Sequence, residues 1–214
     1  MKPKVLFGYI LLCIIWGTTW LVLKKSLMDG TPPFFGAGMR FIIAGSLLWI
    51  AIIYSKDFPP FDPLPMRIYF QFGVLNLTIS YGLTYWATQY IYSSLSSIIW
   101  SGFPLTVAVF SYFMLKPKDM NLKKVFSLIL GTSGAFLILF ESINLTGDRV
   151  AIGIIMVIIA VIIASYPSVY LKKHSDVVSS LHINAVSQIL AGTLLLFLSY
   201  LVEANQNMNW SNYN

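Results

Sequence analysis

The chain is 214 residues long, 57% hydrophobic and only 10% charged, with a mean hydropathy of +0.75. A water-soluble domain of this length needs more charge to stay hydrated, so the composition excludes a soluble globular protein and leaves an integral membrane protein. The net charge of +6 sits mostly between the apolar runs, where it sets topology and contacts anionic lipid instead of binding nucleic acid.

Gaps between charges predict the spans in chain order. Lys4 to Lys24 encloses nineteen uncharged residues, enough to cross about 30 Å of hydrocarbon as a helix. Lys2 and Lys4 resemble the basic start of a signal peptide, but the run is long and has no small-x-small cleavage site, so an uncleaved first helix is expected. A second span starts near Pro33. The forty-eight uncharged residues between Arg67 and Lys116 are too many for one crossing and predict two helices with a bend at Tyr92-Ser93-Ser94. A fifth span starts near Val125. Arg149 to Lys172 encloses twenty-two uncharged residues, and Asp176 to Glu203 twenty-six. Backbone polar groups in lipid must be satisfied within the segment, so the expected fold is all-α, a multispanning transmembrane bundle. Its helices fall at roughly 5–23, 33–54, 68–90, 94–115, 123–141, 150–171 and 181–202.

The basic residues orient these spans. With a cytoplasmic N-terminus, that side holds Lys2, Lys4, Lys56, Arg67, Lys116, Lys118, Lys123, Lys124, Lys172 and Lys173, against Lys24, Lys25 and Arg149 opposite. Ten against three predicts a multi-pass cell-membrane protein with its N-terminus inside.

The sixth and seventh spans echo the first and second. Gly17-Thr18-Thr19-Trp20-Leu21-Val22-Leu23-Lys24-Lys25 matches Ser165-Tyr166-Pro167-Ser168-Val169-Tyr170-Leu171-Lys172-Lys173 at an offset of 148. Ala44-Gly45-Ser46-Leu47-Leu48 matches Ala191-Gly192-Thr193-Leu194-Leu195 at an offset of 147. The duplicated unit holds five helices, and an odd number forces the second copy to enter the membrane inverted. The expected domains are a first repeat over 1–145 and the start of a second over 146–214, with two helices and a polar tail from Ala204. Inverted repeats give a transporter two halves that rock about a site near the midplane. A second repeat that stops after two helices predicts a chain cut between helices.

Trp16-Gly17-Thr18-Thr19, Pro32-Pro33, Met39-Arg40-Phe41 and Pro104-Leu105 together resemble the drug/metabolite transporter superfamily, and within it the ten-helix EamA-type permeases. The resemblance covers residues 5 to about 202. Where that family carries a Gly-Glu-Arg-like turn after the fourth helix, this chain reads Leu115-Lys116-Pro117-Lys118. The resemblance implies a multispanning carrier or exporter of small organic metabolites working by alternating access. The alternative is a truncated, non-transporting membrane protein that only interacts with partners or has lost function.

Arg40 is the sharpest candidate for substrate contact. It lies on the order of 10 Å into the second helix, where a charge costs about 2.5–3.5 kcal/mol on insertion scales. It faces a cavity, where it can hold a carboxylate or phosphate, or a buried structural partner, or else its stem snorkels to the interface near Pro33. Tyr81 and Tyr85 share a helix face with Asn76 and Ser80 nearby, and with Trp100 they suit a pocket for amphipathic or cationic metabolites. The competing reading is an aromatic belt and polar helix glue. Trp16 is deep enough to line a pocket and Trp20 is close enough to Lys24 to be belt, while Tyr166 follows the repeat counterpart of Gly17. Pro104 and Pro167 should kink their helices as mechanical elements. Gly45, Ser127, Gly131 and Gly134 predict close helix contact, and Cys13 reads as a small buried apolar side chain.

Glu141 reads as an interfacial acid, with proton coupling as its functional alternative. Asn144-Leu145-Thr146 and Asn209-Trp210-Ser211 fit a glycosylation triplet that is common by chance. His174 and His182 have no metal-ligand spacing around them, and no cofactor is expected. The chain carries no Gly-rich phosphate loop, no His-Glu-x-x-His and no Ser/His/Asp set, so no enzyme is expected. The partners expected are a small-molecule metabolite and membrane lipid, and a homo-oligomer is left open.

Overall fold

The computed structural model describes residues 3–115, 122–140 and 149–203. All regular structure among them is helical. The helices are α1 (Pro3–Met28), α2 (Pro33–Ser55), α3 (Pro63–Gln71), α4 (Tyr81–Ala87), α5 (Ser93–Ser101), α6 (Phe103–Leu115), α7 (Leu122–Phe140), α8 (Val150–Lys173) and α9 (Ser180–Val202). A π-helical stretch, Phe72–Ser80, joins α3 to α4 into one rod. Five helical stretches are long and apolar enough to cross a membrane: Val5–Met28, Pro33–Ser55, Ser93–Leu115, Val150–Lys173 and Ser180–Val202. Large apolar side chains such as Phe7, Ile43, Phe113, Phe126 and Phe197 lie on the outside, as expected where the solvent is lipid.

Several boundaries differ from the charge-gap reading for identifiable reasons. Helix α1 runs through Lys24 and Lys25 to Met28, because Lys24 Nζ donates to the carbonyls of Thr88 (2.7 Å) and Ile91 (3.1 Å) instead of meeting lipid. It then stops at a Gly30 with φ +92°, where Gly30 N–H reaches Leu27 O and Thr31 N–H reaches Ser26 O. That hydrogen-bond pair is the Schellman ending, which glycine adopts without strain. The third rod starts at Pro63, five residues before Ile68, since Arg67 is exposed and need not end a helix. The bend before α5 falls at 88–92.

The fourth rod breaks at Gly102, between α5 and α6. Pro104 follows as the second residue of α6, where its missing N–H is tolerated. Pro167 lies inside α8 and is fully buried. Cys13 is exposed, not buried. Among the described residues a Cβ on Gly131 or Gly134 would meet nothing within 4 Å and Ser127 is exposed, so these three form no close contact there of the kind expected of them. Glu141 and the residues 144–146 and 204–214 lie outside the described residues.

Helices α2 and α9 are each 23 residues long and form the most extensive pair in the bundle. Their contact is reciprocal. A Cβ on Gly45 would stand 3.1 Å from the backbone N of Ile189, and one on Gly192 would stand 2.9 Å from the backbone N of Ile42. Glycine is therefore required at both crossings. The third rod lies across this pair and α8, tied by Ser187 Oγ to Tyr69 O (3.0 Å) and Ser80 Oγ to Ala160 O (2.8 Å). Leu77, Tyr85, Phe41, Ala191 and Leu195 are buried at the centre.

Candidate functional site

A cavity of about 670 Å³ opens among α1, α2, the third rod, α5, the start of α6, α8 and α9, beside a smaller one of about 150 Å³. Trp16, Trp20, Arg40, Tyr81 and Trp100 line both. Arg40 reaches the cavities because α2 carries it seven residues past Pro33, on the side facing α1 and α4. Its Nη1 donates to Tyr85 Oη at 3.4 Å, and among the described residues no carboxylate is within ion-pairing distance of it. A guanidinium with one long hydrogen bond has donors to spare.

The walls are aromatic. Trp100 stands 6.4 Å from Trp20, 5.9 Å from Tyr81 and 5.8 Å from Phe103 between ring centroids, while Phe41 meets Tyr81 edge-on at 5.3 Å. Trp100 is held by a hydrogen bond from its Nε1 to Thr84 Oγ1 (3.3 Å), and Thr84 Oγ1 donates in turn to Ser80 O (2.9 Å). These rings are fixed by packing as well as by polar contacts.

The π-helical stretch decides which polar residues of the third rod reach the cavity. In a π-helix the backbone bonds run five residues apart, and here the Thr78 side chain also donates from Oγ1 to Gly73 O (2.9 Å). Over this stretch Asn76 and Tyr81 both line the larger cavity, together with Phe72 and Leu77. Ser80, grouped with Asn76 by ordinary helical spacing, instead turns to the Ala160 carbonyl and is fully buried.

Of the residues singled out from the sequence, Trp16, Arg40, Asn76, Tyr81, Tyr85 and Trp100 thus surround two adjoining cavities, with Pro104 also on the wall. Tyr166 does not line them; it packs against Phe110 and Tyr170, at 6.3 Å from each ring. Trp20, read as interfacial belt, turns to Trp100. Ser168, Asn184 and Gln188 also line the larger cavity and went unnoticed. Asn184 and Gln188, two amides one helical turn apart on a membrane-spanning helix, were the available signal. No His/Cys/Asp/Glu group among the described residues is arranged to hold a metal.

The family model described as the EamA-like transporter family matches residues 3–140. An "Uncharacterized transporter" of Buchnera aphidicola subsp. Schizaphis graminum is 29% identical over 210 residues, covering 98% of this chain and 69% of that protein. Protein PagO of Salmonella typhimurium is also 29% identical, over 98% of this chain and 68% of its own. A protein of Chlamydia muridarum named S-adenosylmethionine/S-adenosylhomocysteine transporter is 27% identical, over 95% and 65% respectively. One solved crystal structure shares the fold with a TM-score of 0.65 at 18% identity, over 87% of this chain and 66% of the other. The chain therefore spans about two thirds of the length of its relatives. This multi-pass membrane protein belongs to the EamA-like transporter family of membrane transporters.

Proposed function

We propose that the protein is a secondary transporter of small organic metabolites in the cell membrane, with a cytoplasmic N-terminus and alternating access between two inverted halves. The halves would be residues 1–145 and the unit that begins at 146. The equal lengths of α2 and α9, whose starts lie 147 residues apart, support this reading, as does the reciprocal Gly45–Ile189 and Gly192–Ile42 contact. An isologous contact of this kind is what a two-fold relation produces.

The observation that carries the function is Arg40, a cation set among aromatic rings with no carboxylate partner among the described residues. Trp16, Asn76, Tyr81, Tyr85 and Trp100 would contact the substrate beside it, Tyr166 would respond to movement of α8, and Pro104 and Pro167 would bend during the cycle. The Chlamydia relatives are named for two substrates that combine a flat heteroaromatic ring with an amino-acid carboxylate, one of them a sulfonium cation and the other, S-adenosylhomocysteine, an uncharged thioether. A cation beside indole rings suits the ring and the carboxylate of the second.

Proteoliposomes containing the chain, incubated with labelled S-adenosylhomocysteine and a metabolite extract, should accumulate at least one metabolite in their lumen. The Arg40→Ala protein should insert equally well and accumulate none. Unaltered uptake in that variant removes Arg40 from the site, and no uptake by the unmodified chain refutes the carrier reading for it.

A further inference from the structure

The following inference rests on the carrier reading and names the substrate class of that same cavity. Among the described residues lining the adjoining cavities, Arg40 is the only charged one. A permanent cation entering here would meet an unopposed guanidinium with no acid to offset it, and like charges repel more strongly away from bulk water. An anion would instead complete the guanidinium with paired, charge-assisted hydrogen bonds.

Three wall serines add a second requirement, because they have already used their donors. Ser97 Oγ donates to Ser94 O (2.7 Å), Ser101 Oγ to Ile98 O (2.6 Å) and Ser168 Oγ to Ala164 O (2.8 Å). A hydroxyl has one proton, so each serine keeps only acceptor lone pairs. Asn184 Nδ2 donates to Ser180 O at 2.8 Å, and since a carbonyl can only accept, this contact orients the amide. Asn184 Oδ1 therefore faces Gln188 Nε2, 3.5 Å away, and Gln188 Oε1 is left with no hydrogen-bond partner.

We infer that the cavity takes a compact organic anion that also carries hydrogen-bond donors, and that it discriminates against permanent cations. The anion binds Arg40, and the amine, amide or hydroxyl hydrogens meet the serine oxygens, Ser168 among them. A site whose groups are left unpaired by an analogue rejects that analogue more strongly than an apolar pocket can.

Three ring compounds of similar size separate these requirements: 4-aminobenzoate, 4-methylbenzoate and benzyltrimethylammonium. Their binding to the purified full chain in lipid nanodiscs is measured by equilibrium dialysis. 4-Aminobenzoate is expected to bind, 4-methylbenzoate about tenfold more weakly, and the ammonium compound not at all. Arg40→Gln should abolish binding of both anions, and Ser168→Ala should narrow the gap between them. Equal affinity for the two benzoates, binding of the ammonium compound, or binding of none of the three overturns the inference. Luminal accumulation of metabolites by the same preparation keeps the two readings apart. A chain that accumulates metabolites without this preference remains a carrier of another substrate class, whereas one that shows the preference without accumulation binds but does not transport.

Discussion

The carboxylate of Glu203 accepts the backbone N–H groups of Phe34 at 2.9 Å and Phe35 at 3.1 Å, tying the end of α9 to the start of α2. The reason lies in the local sequence. Helix α2 begins Pro32-Pro33, and Pro32 stands at the N-cap without a side chain able to accept a hydrogen bond. The next two amides are therefore orphans unless something else reaches them, and Glu203 does so while only 3% exposed. Its negative charge also lies at the favourable end of the helix dipole.

Glu203→Ala should consequently lower stability by about 1–2 kcal/mol, the range for losing a helix cap. Thermal unfolding in nanodiscs measures this, and a transition at the unmodified temperature would show that the bond adds nothing.

Lys24 holds the other side of the same end of the bundle. Its ammonium donates to Thr88 O and Ile91 O at the close of α4. Lys24→Met keeps the stem but leaves those carbonyls without their charged donor, at a cost of about 1.5–3 kcal/mol. With α1 loosened from the bend, iodide should quench more of the fluorescence of Trp20 and Trp100. Unchanged quenching together with unchanged stability would contradict the role.

The glycines divide by what surrounds them. Gly192→Ala would place a methyl 2.9 Å from the backbone N of Ile42, so α2 and α9 must separate. The expected destabilisation is about 1–3 kcal/mol, as for overpacking. Gly131→Ala meets open space and should be neutral, or stabilising by up to about 1 kcal/mol through helix propensity. Equal effects from the two substitutions would mean that the α2–α9 crossing is not as close as described.

Asn76 and Ser80 test the π-helical register. Asn76→Ala should raise the KM of transport several-fold and leave unfolding unchanged, since its amide lines the cavity and bonds no described residue. Ser80→Ala should do the reverse, costing about 0.5–1.5 kcal/mol of stability through the lost bond to Ala160 O with no change in KM. An exchange of these two phenotypes would contradict the placement of Asn76 in the cavity and of Ser80 against α8.

The helical stretches were legible in the sequence, because a bilayer tolerates only long uncharged runs whose backbone bonds to itself. Their ends were less so: Lys24 and Arg67 read as boundaries, yet both lie within helices, the first because carbonyls from a distant bend receive it. Arg40 showed equally well as a snorkelling arginine or a cavity cation, for its own helix is compatible with both. The placement of Trp20, the separation of Asn76 from Ser80, and the share of Asn184 and Gln188 in the wall could not be read from spacing.

Apolar runs and the charges between them thus determined that the chain is a helical membrane protein, since this follows from the free energy of each segment in lipid. Which polar groups share a cavity, and that Glu203 completes a helix 168 positions away from it, was decided only by the tertiary structure. Each helix carries a few polar residues on different faces, and only the rotation and packing of neighbouring helices brings one set together.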